Sequence, residues 1–169
     1  MVDVEADGPA PGLYSMIELG AVIVEPGLTR SFYTTLKPIS DNFVAGALSV
    51  TGHSREDTQQ FTDPSVAMIK FDLWLRRELL DQGLRAMFVS DNNGFDWQFV
   101  NYYSWRFLNK NSFGHSSTNL GSLYKGLRRD FYASFKHLRK TAHTHNPVDD
   151  ARGNAEAMLA LADLGLKTF

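Results

Sequence analysis

An α/β domain on a mixed sheet is the fold class that the 169 residues predict, and three observations predict it. The first third carries alternating runs rich in Val, Ile, Phe, Tyr and Thr, broken by Pro-Gly, which reads as strands joined by a turn. Beyond residue 64, helical periodicities flank one short apolar run, so a strand is reached through a helix and pairs in parallel. The length and the 43% of hydrophobic residues suit one core, burying ~70% of the surface of the unfolded chain. The expectation is a single domain over residues 1–169, an antiparallel meander extended by parallel strands and flanked by helices.

Each element has a local reason. Residues 1–6 form the first strand, and residues 15–24 and 31–36 pair as a hairpin about Pro26-Gly27. Pro64 and Gly83 bracket a helix over residues 66–82, with Met68, Ile69, Leu73, Leu75, Leu79 and Leu80 as its apolar face. A short strand follows at residues 85–90. A helix over residues 96–108 packs through Phe99, Val100, Tyr103 and Phe107, and residues 120–138 read as short helices. Asn146-Pro147 opens the last helix, because Pro is favoured in a first turn, and Val148, Ala151, Ala155, Met158, Leu159 and Ala162 form its buried stripe.

Composition excludes several classes of function. No cysteine is present, which removes disulfide frameworks, thiol nucleophiles and zinc-thiolate sites. No apolar run approaches the ~20 residues of a membrane-crossing helix, so no membrane partner is expected. Asp3, Glu5 and Asp7 stand where a signal peptide requires a basic start and an apolar run, which makes the cytoplasm the expected compartment. The net charge of -2 conceals a segregation. Residues 1–60 hold eight acids against Arg30, Lys37 and Arg55, whereas residues 125–143 hold Lys125, Arg128, Arg129, Lys136, Arg139 and Lys140 against Asp130. A domain that gathers cations at one place and a polyanion beside it needs this division, and a solvated helix face also produces it.

Four acids and a histidine carry the chemistry. Asp3 and Glu5 lie two apart on a strand, so their side chains share a face and can share a divalent cation. Asp96 follows an apolar strand at a strand-to-helix transition, where open α/β sheets gather binding residues. Asp150 falls in the first turn of the last helix, with His145 just ahead of it. Singly, both acids also suit helix N-termini by charge alone. A second arrangement takes His143-Thr144-His145 with Asp149 or Asp150 as a zinc site, but it leaves Asp3, Glu5 and Asp96 without a role.

The segments D-V-E-A-D-G at 3–8, N-N-G-F-D at 92–96 and H-N-P-V-D-D-A at 145–151 resemble, in order and separation, the three motifs of the DEDDh exonucleases. That family includes RNase T, oligoribonuclease and the proofreading subunits of DNA polymerases. M-I-E-L-G-A-V at 16–22 is similar to its second strand. Ala6 replaces the usual Thr, Asp91 stands where many relatives have His, and only Met1 and Val2 precede Asp3. Asp149 would suit a sister group that uses Tyr in place of His, so His145 selects Asp150.

The resemblance implies an RNase H-like fold and a 3'-5' exonuclease. Its substrate would be the 3' end of single-stranded RNA or DNA, with RNA favoured, and its products nucleoside 5'-monophosphates. Asp3 would bridge two metals, Glu5 and Asp150 would complete one site, and Asp96 would hold the second largely through water. Oxygen ligands favour Mg²⁺ or Mn²⁺, two per active site. His145 would be the general base, since a reference imidazole pKa of ~6.5 leaves it mostly neutral at cellular pH. Met16, Asn92 and Phe95 would grip the terminal nucleotide by stacking and amide contact, and the basic segment with Arg128 and Arg129 would follow the phosphate backbone. A homodimer is also implied. The alternative is a catalytically silent nucleic-acid or protein-binding module on the same fold.

Overall fold

The computed structural model describes residues 1–167. Strands β1 (Val2–Ala6), β2 (Met16–Val22) and β3 (Ser31–Thr35) form an antiparallel meander in chain order. Two short helices, α1 (Ala45–Val50) and α2 (Arg55–Thr58), lead to α3 (Pro64–Glu78). The chain continues through β4 (Phe88–Ser90), α4 (Asn93–Leu108), β5 (Ser117–Asn119), α5 (Leu120–Arg128) and α6 (Pro147–Asp163). Strands β4 and β5 pair in parallel, and β4 lies beside β1, so the mixed arrangement expected from the sequence is present.

Alternation along β1 divides the molecule. Val2, Val4 and Ala6 enter a cluster with Phe71 and Trp74 of α3, Phe88 of β4, and Phe99, Val100 and Tyr103 of α4. Asp3 and Glu5 point to the opposite face, where their partners across β2 are Gly20 and Glu18. That face is covered by α6, and below the acids it closes on a second cluster of Val22, Val89, Leu120, Tyr124, Ala151, Ala155 and Leu161. Helix α6 approaches very closely. A Cβ on Gly20 would lie 2.3 Å from the carbonyl carbon of Pro147, so only glycine lets the first turn of α6 rest on the strand that pairs with Asp3. Asn146 caps this helix by accepting the N–H groups of Val148 and Asp149. At the other end of β1, buried Asp7 accepts the Ser15 N–H and a 2.8 Å ion pair from Arg55, which ties the β1–β2 connection to α2.

Several expectations need correction. Helix α3 begins at Pro64 and stops at Glu78, followed by a single 3-10 turn that ends on left-handed Gly83. Its buried face is Ala67, Met68, Phe71, Trp74 and Leu75, while Ile69 and Leu73 are exposed. The stacked rings of Phe71 and Trp74 against Phe32 set the rotation of the helix, and their area outweighs that of the aliphatic pair. Strand β5 and helices α1 and α2 escape periodicity because they are short, and β5 is S-T-N, polar throughout. In α6, Ala151 and Ala155 are buried as expected, whereas Ala162 is exposed and Asn154, Ala157 and Leu161 are buried instead. Among the described residues no helix is long and apolar enough to cross a membrane.

Candidate active site

One face of β1, the C-terminal end of β4 and the first turns of α4 and α6 converge on one acidic cleft. Oxygens of Asp3, Glu5 and Asp150 lie within 4.8 Å of one another, and so do oxygens of Asp3, Asp91 and Asp96. Asp3 belongs to both groups. Asp96, in the first turn of α4, is 2% exposed, and its Oδ1 accepts the Val4 N–H at 3.2 Å while its Oδ2 has no partner among the described residues. A strand amide thus aims one carboxylate oxygen, while the other is buried near the Ser90 hydroxyl without a hydrogen bond of good geometry among the described residues.

Asp150 is held differently. Its Oδ1 takes the Arg139 guanidinium at 2.8 Å, His143 Nδ1 at 2.8 Å and the Thr144 N–H at 3.2 Å, and its Oδ2 takes the His145 N–H at 3.0 Å. Arg139 is itself buried, in space left by Gly153, where a Cβ would come within 2.5 Å of Arg139 Nε. The anchored backbone gives His145 a left-handed conformation with φ of 60°, and its half-exposed ring stands over the cleft with Nδ1 3.9 Å from Glu5 Oε1. His143 packs against that ring edge-on, with centroids 4.3 Å apart, and ligand atoms of His143, His145 and Asp150 also lie within 4.8 Å.

Burial and mutual repulsion disfavour ionisation here. Burial pushes the Asp3 carboxyl well above the usual range, with Asp96, Glu5, Asp91 and Asp150 adding to it. Burial, then Glu18, Asp150 and Asp96, raises Glu5 to about 8. Asp96 rises to about 7, mainly through burial.

The structure brings Asp3, Glu5, Asp96, His145 and Asp150 together. Asn92 is exposed at the head of α4, with no capping bond from its side chain, and Phe95 is half-buried with its ring 5.1 Å from Phe99. Met16 does not face the cleft. A register shift opposite Glu5 and Ala6 pairs Met16 with Ala6 on the apolar side of the sheet, where it is fully buried beneath Tyr103, so it offers no surface to a nucleotide. Arg128 and Arg129 are exposed at the end of α5, but Arg139 of the same basic segment is committed to Asp150. Three residues to which the sequence assigned no site role also stand here. Asp91 enters one carboxylate group, Arg139 holds another carboxylate, and buried Glu18 sits opposite Glu5 with the Tyr33 hydroxyl at 2.5 Å and His53 at 3.5 Å. Glu18 had a signal, as the single acid within an otherwise apolar strand.

These shifts set a pH dependence. Between the ordinary carboxyl range and about pH 8 the folded chain keeps protons that the unfolded chain has lost, so stability falls as pH rises through that window. Thermal midpoints in EDTA are expected to fall across this window more steeply for the wild type than for Glu5→Gln, and excess Mg²⁺ should recover most of the loss. Equal pH slopes for the two proteins would contradict the burial of a repelling carboxylate set.

Comparison with known proteins places this architecture. The model of the RNase_T exonuclease family matches residues 1–158. The chain is 35% identical to the 3'-5' DNA exonuclease Cap18 of Escherichia coli, over 98% of its own length and 92% of that protein. Its fold is similar to the nuclease domain of 3'hExo, a DEDDh family member solved with rAMP, with a TM-score of 0.76 at 15% identity over 97% of this chain and 90% of that one. Cell-death related nuclease 4 gives a TM-score of 0.73 at 19% identity, over 97% of this chain and 63% of that one. These folds are RNase H-like, as is this one. With a family match spanning nearly the whole chain, a full-length relative, and the motif residues gathered in one cleft, the chain belongs to the RNase_T exonuclease family as a DEDDh 3'-5' exonuclease.

Proposed function

We propose that residues 1–169 act as one exonuclease domain that removes nucleoside 5'-monophosphates from the 3' ends of single strands, using two divalent cations. The observation that carries this reading is the pair of three-carboxylate groups sharing Asp3. The donors fit hard cations such as Mg²⁺ or Mn²⁺: all are oxygens, Asp96 Oδ2 is buried without a partner among the described residues, and the acids suppress one another's ionisation. Asp3 would serve both ions, with Glu5 and Asp150 completing one set and Asp96 and Asp91 the other. Bound there, the cations would neutralise the scissile phosphate, favour ionisation of the attacking water and stabilise the departing 3' oxygen.

The side chains divide the remaining work. Arg139 and the two backbone N–H groups lock Asp150, and the same bonds fix the segment that carries His145. His145 takes the proton of the attacking water at Nε2, because Nδ1 is turned to Glu5. Asn92 offers an exposed amide to the terminal sugar and Phe95 an edge to the base, and Arg128 and Arg129 meet phosphates farther along the strand. For the sugar we favour DNA over the RNA expected from sequence, because the 35% identical relative is named a DNA exonuclease. The implied homodimer is supported by a shallow groove on α4 lined by Trp97, Tyr102 and Trp105 with Pro11, a face of exposed and half-exposed rings.

A second reading has one observation in its favour. His143, His145 and Asp150 are close enough to hold zinc, and metal analysis of protein purified without chelators distinguishes it from the carboxylate sites.

End-labelled single- and double-stranded DNA and RNA, digested with Mg²⁺ or Mn²⁺, should show a ladder receding from the 3' end, fastest on single-stranded DNA. Shortening from the 5' end, or cutting without divalent ions, would sink the proposal. His145→Ala should lose ~10² to 10⁴ in turnover while retaining Mg²⁺ binding by calorimetry, and folded Asp3→Ala should lose more turnover and lose that binding too. Sedimentation at micromolar concentration should give a dimer, and a Trp105→Lys variant should give a monomer.

A further inference from the structure

The segment after α5 holds a feature that the catalytic cleft does not use. Phe131 is 76% exposed and Tyr132 91% exposed, adjacent in the chain, with ring centroids 5.7 Å apart at 87°. A single exposed aromatic residue is ordinary, but two together on an ordered turn are not. The turn is built. Arg129 takes a left-handed conformation, the Asp130 N–H returns to Lys125 O, the Asp130 carboxylate accepts the Tyr132 N–H at 2.9 Å, and Phe135 anchors the exit in the core.

Charge surrounds these rings. Lys125 Nζ stands 4.8 Å from the centroid of Phe131, and Arg128, Arg129 and Lys136 are close in the chain. The local acid, Asp130, is occupied with the turn's own backbone. The position also matters. Helix α5 starts at the acidic cleft, where its cap Asn119 donates to the Asp91 carbonyl at 2.6 Å, and it runs ~13 Å at 1.5 Å per residue before the turn. The chain then returns through residues 136–138 to Arg139, Asp150 and His145.

We propose that Phe131 and Tyr132 form a stacking platform for bases of a single strand several nucleotides before the 3' end, with Lys125, Arg128, Arg129 and Lys136 neutralising its phosphates. Two rings at right angles within a cationic rim suit unpaired bases, because every base offers a π face and the backbone offers charge. A duplex hides those faces. The proposal rests on the nuclease reading for the polarity of the strand, and on the turn itself for binding.

The test is fluorescence anisotropy with a labelled single-stranded DNA of about sixteen nucleotides, at the upper end of common single-strand site sizes, in EDTA so that nothing is cut. Phe131→Ala/Tyr132→Ala should weaken binding by at least about tenfold, and Tyr132→Trp should keep it near wild type. Phe131→Leu/Tyr132→Leu, which keeps apolar bulk without a π face, should bind as weakly as the alanine pair. Arg128→Ala/Arg129→Ala should flatten the dependence of log affinity on log salt by ~0.7 for each phosphate no longer neutralised. Cleavage of a dinucleotide, too short to reach the turn, is the internal reference. Strand affinity equal to wild type in the alanine pair would overturn the platform, whether dinucleotide cleavage is present or not. So would a wild-type dimer that the alanine pair dissociates without change in strand affinity, since the rings would then meet a second copy. Strand binding lost with the rings, in a protein that never cleaves, would uphold the platform and overturn the nuclease reading alone.

Discussion

Carboxylates of like charge, packed against one another out of water, repel strongly, and much of the structure is a response to that repulsion. Asp3 sits at its centre, within reach of Glu5 and Asp150 on one side and of Asp91 and Asp96 on the other. Glu18 adds a further acid across the strand pair. Burial and repulsion disfavour the charged forms of Asp3 and Glu5, and a cation bound among them would relieve the same repulsion.

Close backbone approach and one buried ion pair hold such a site together. The missing Cβ of Gly20 lets α6 rest on β2, which carries Asp150 to Asp3. The missing Cβ of Gly153 admits Arg139, whose guanidinium sets a full positive charge directly against the cluster, on Asp150. Asp96 is instead aimed by the Val4 amide of the strand that bears Asp3 and Glu5. Asp150 and Asp96 therefore have distinct supports, and the elements involved meet only in the finished fold.

The arrangement also separates rigid from accessible chemistry. The acids lie on a sheet edge and in helix first turns, where packing limits their movement. His145 and His143 stand on a solvent-facing bend whose backbone is pinned by Asp150, so the imidazoles reach solvent from a fixed backbone. The basic, aromatic turn beyond α5 is farther out still, in the position where recognition of a polymer would be separated from the cutting of its end.

Much of this was legible beforehand because it depends on local rules. The period of two places Asp3 and Glu5 on one face and Val2 and Val4 on the other, whatever the rest of the chain does. Asn146-Pro147 starts a helix by its own capping chemistry, and the motif spacings point to the family. Tertiary structure decided the rest, because burial and rotation are set by partners distant in sequence. One extra residue opposite Glu5 and Ala6 turned Met16 into the core and away from the acidic cleft. The rings of Phe71 and Trp74 rotated α3 so that Ile69 and Leu73 face water. Arg139, one of six basic residues in its segment, left the surface because Gly153 made room for it beside Asp150, a space that exists only once α6 and the returning chain have packed together.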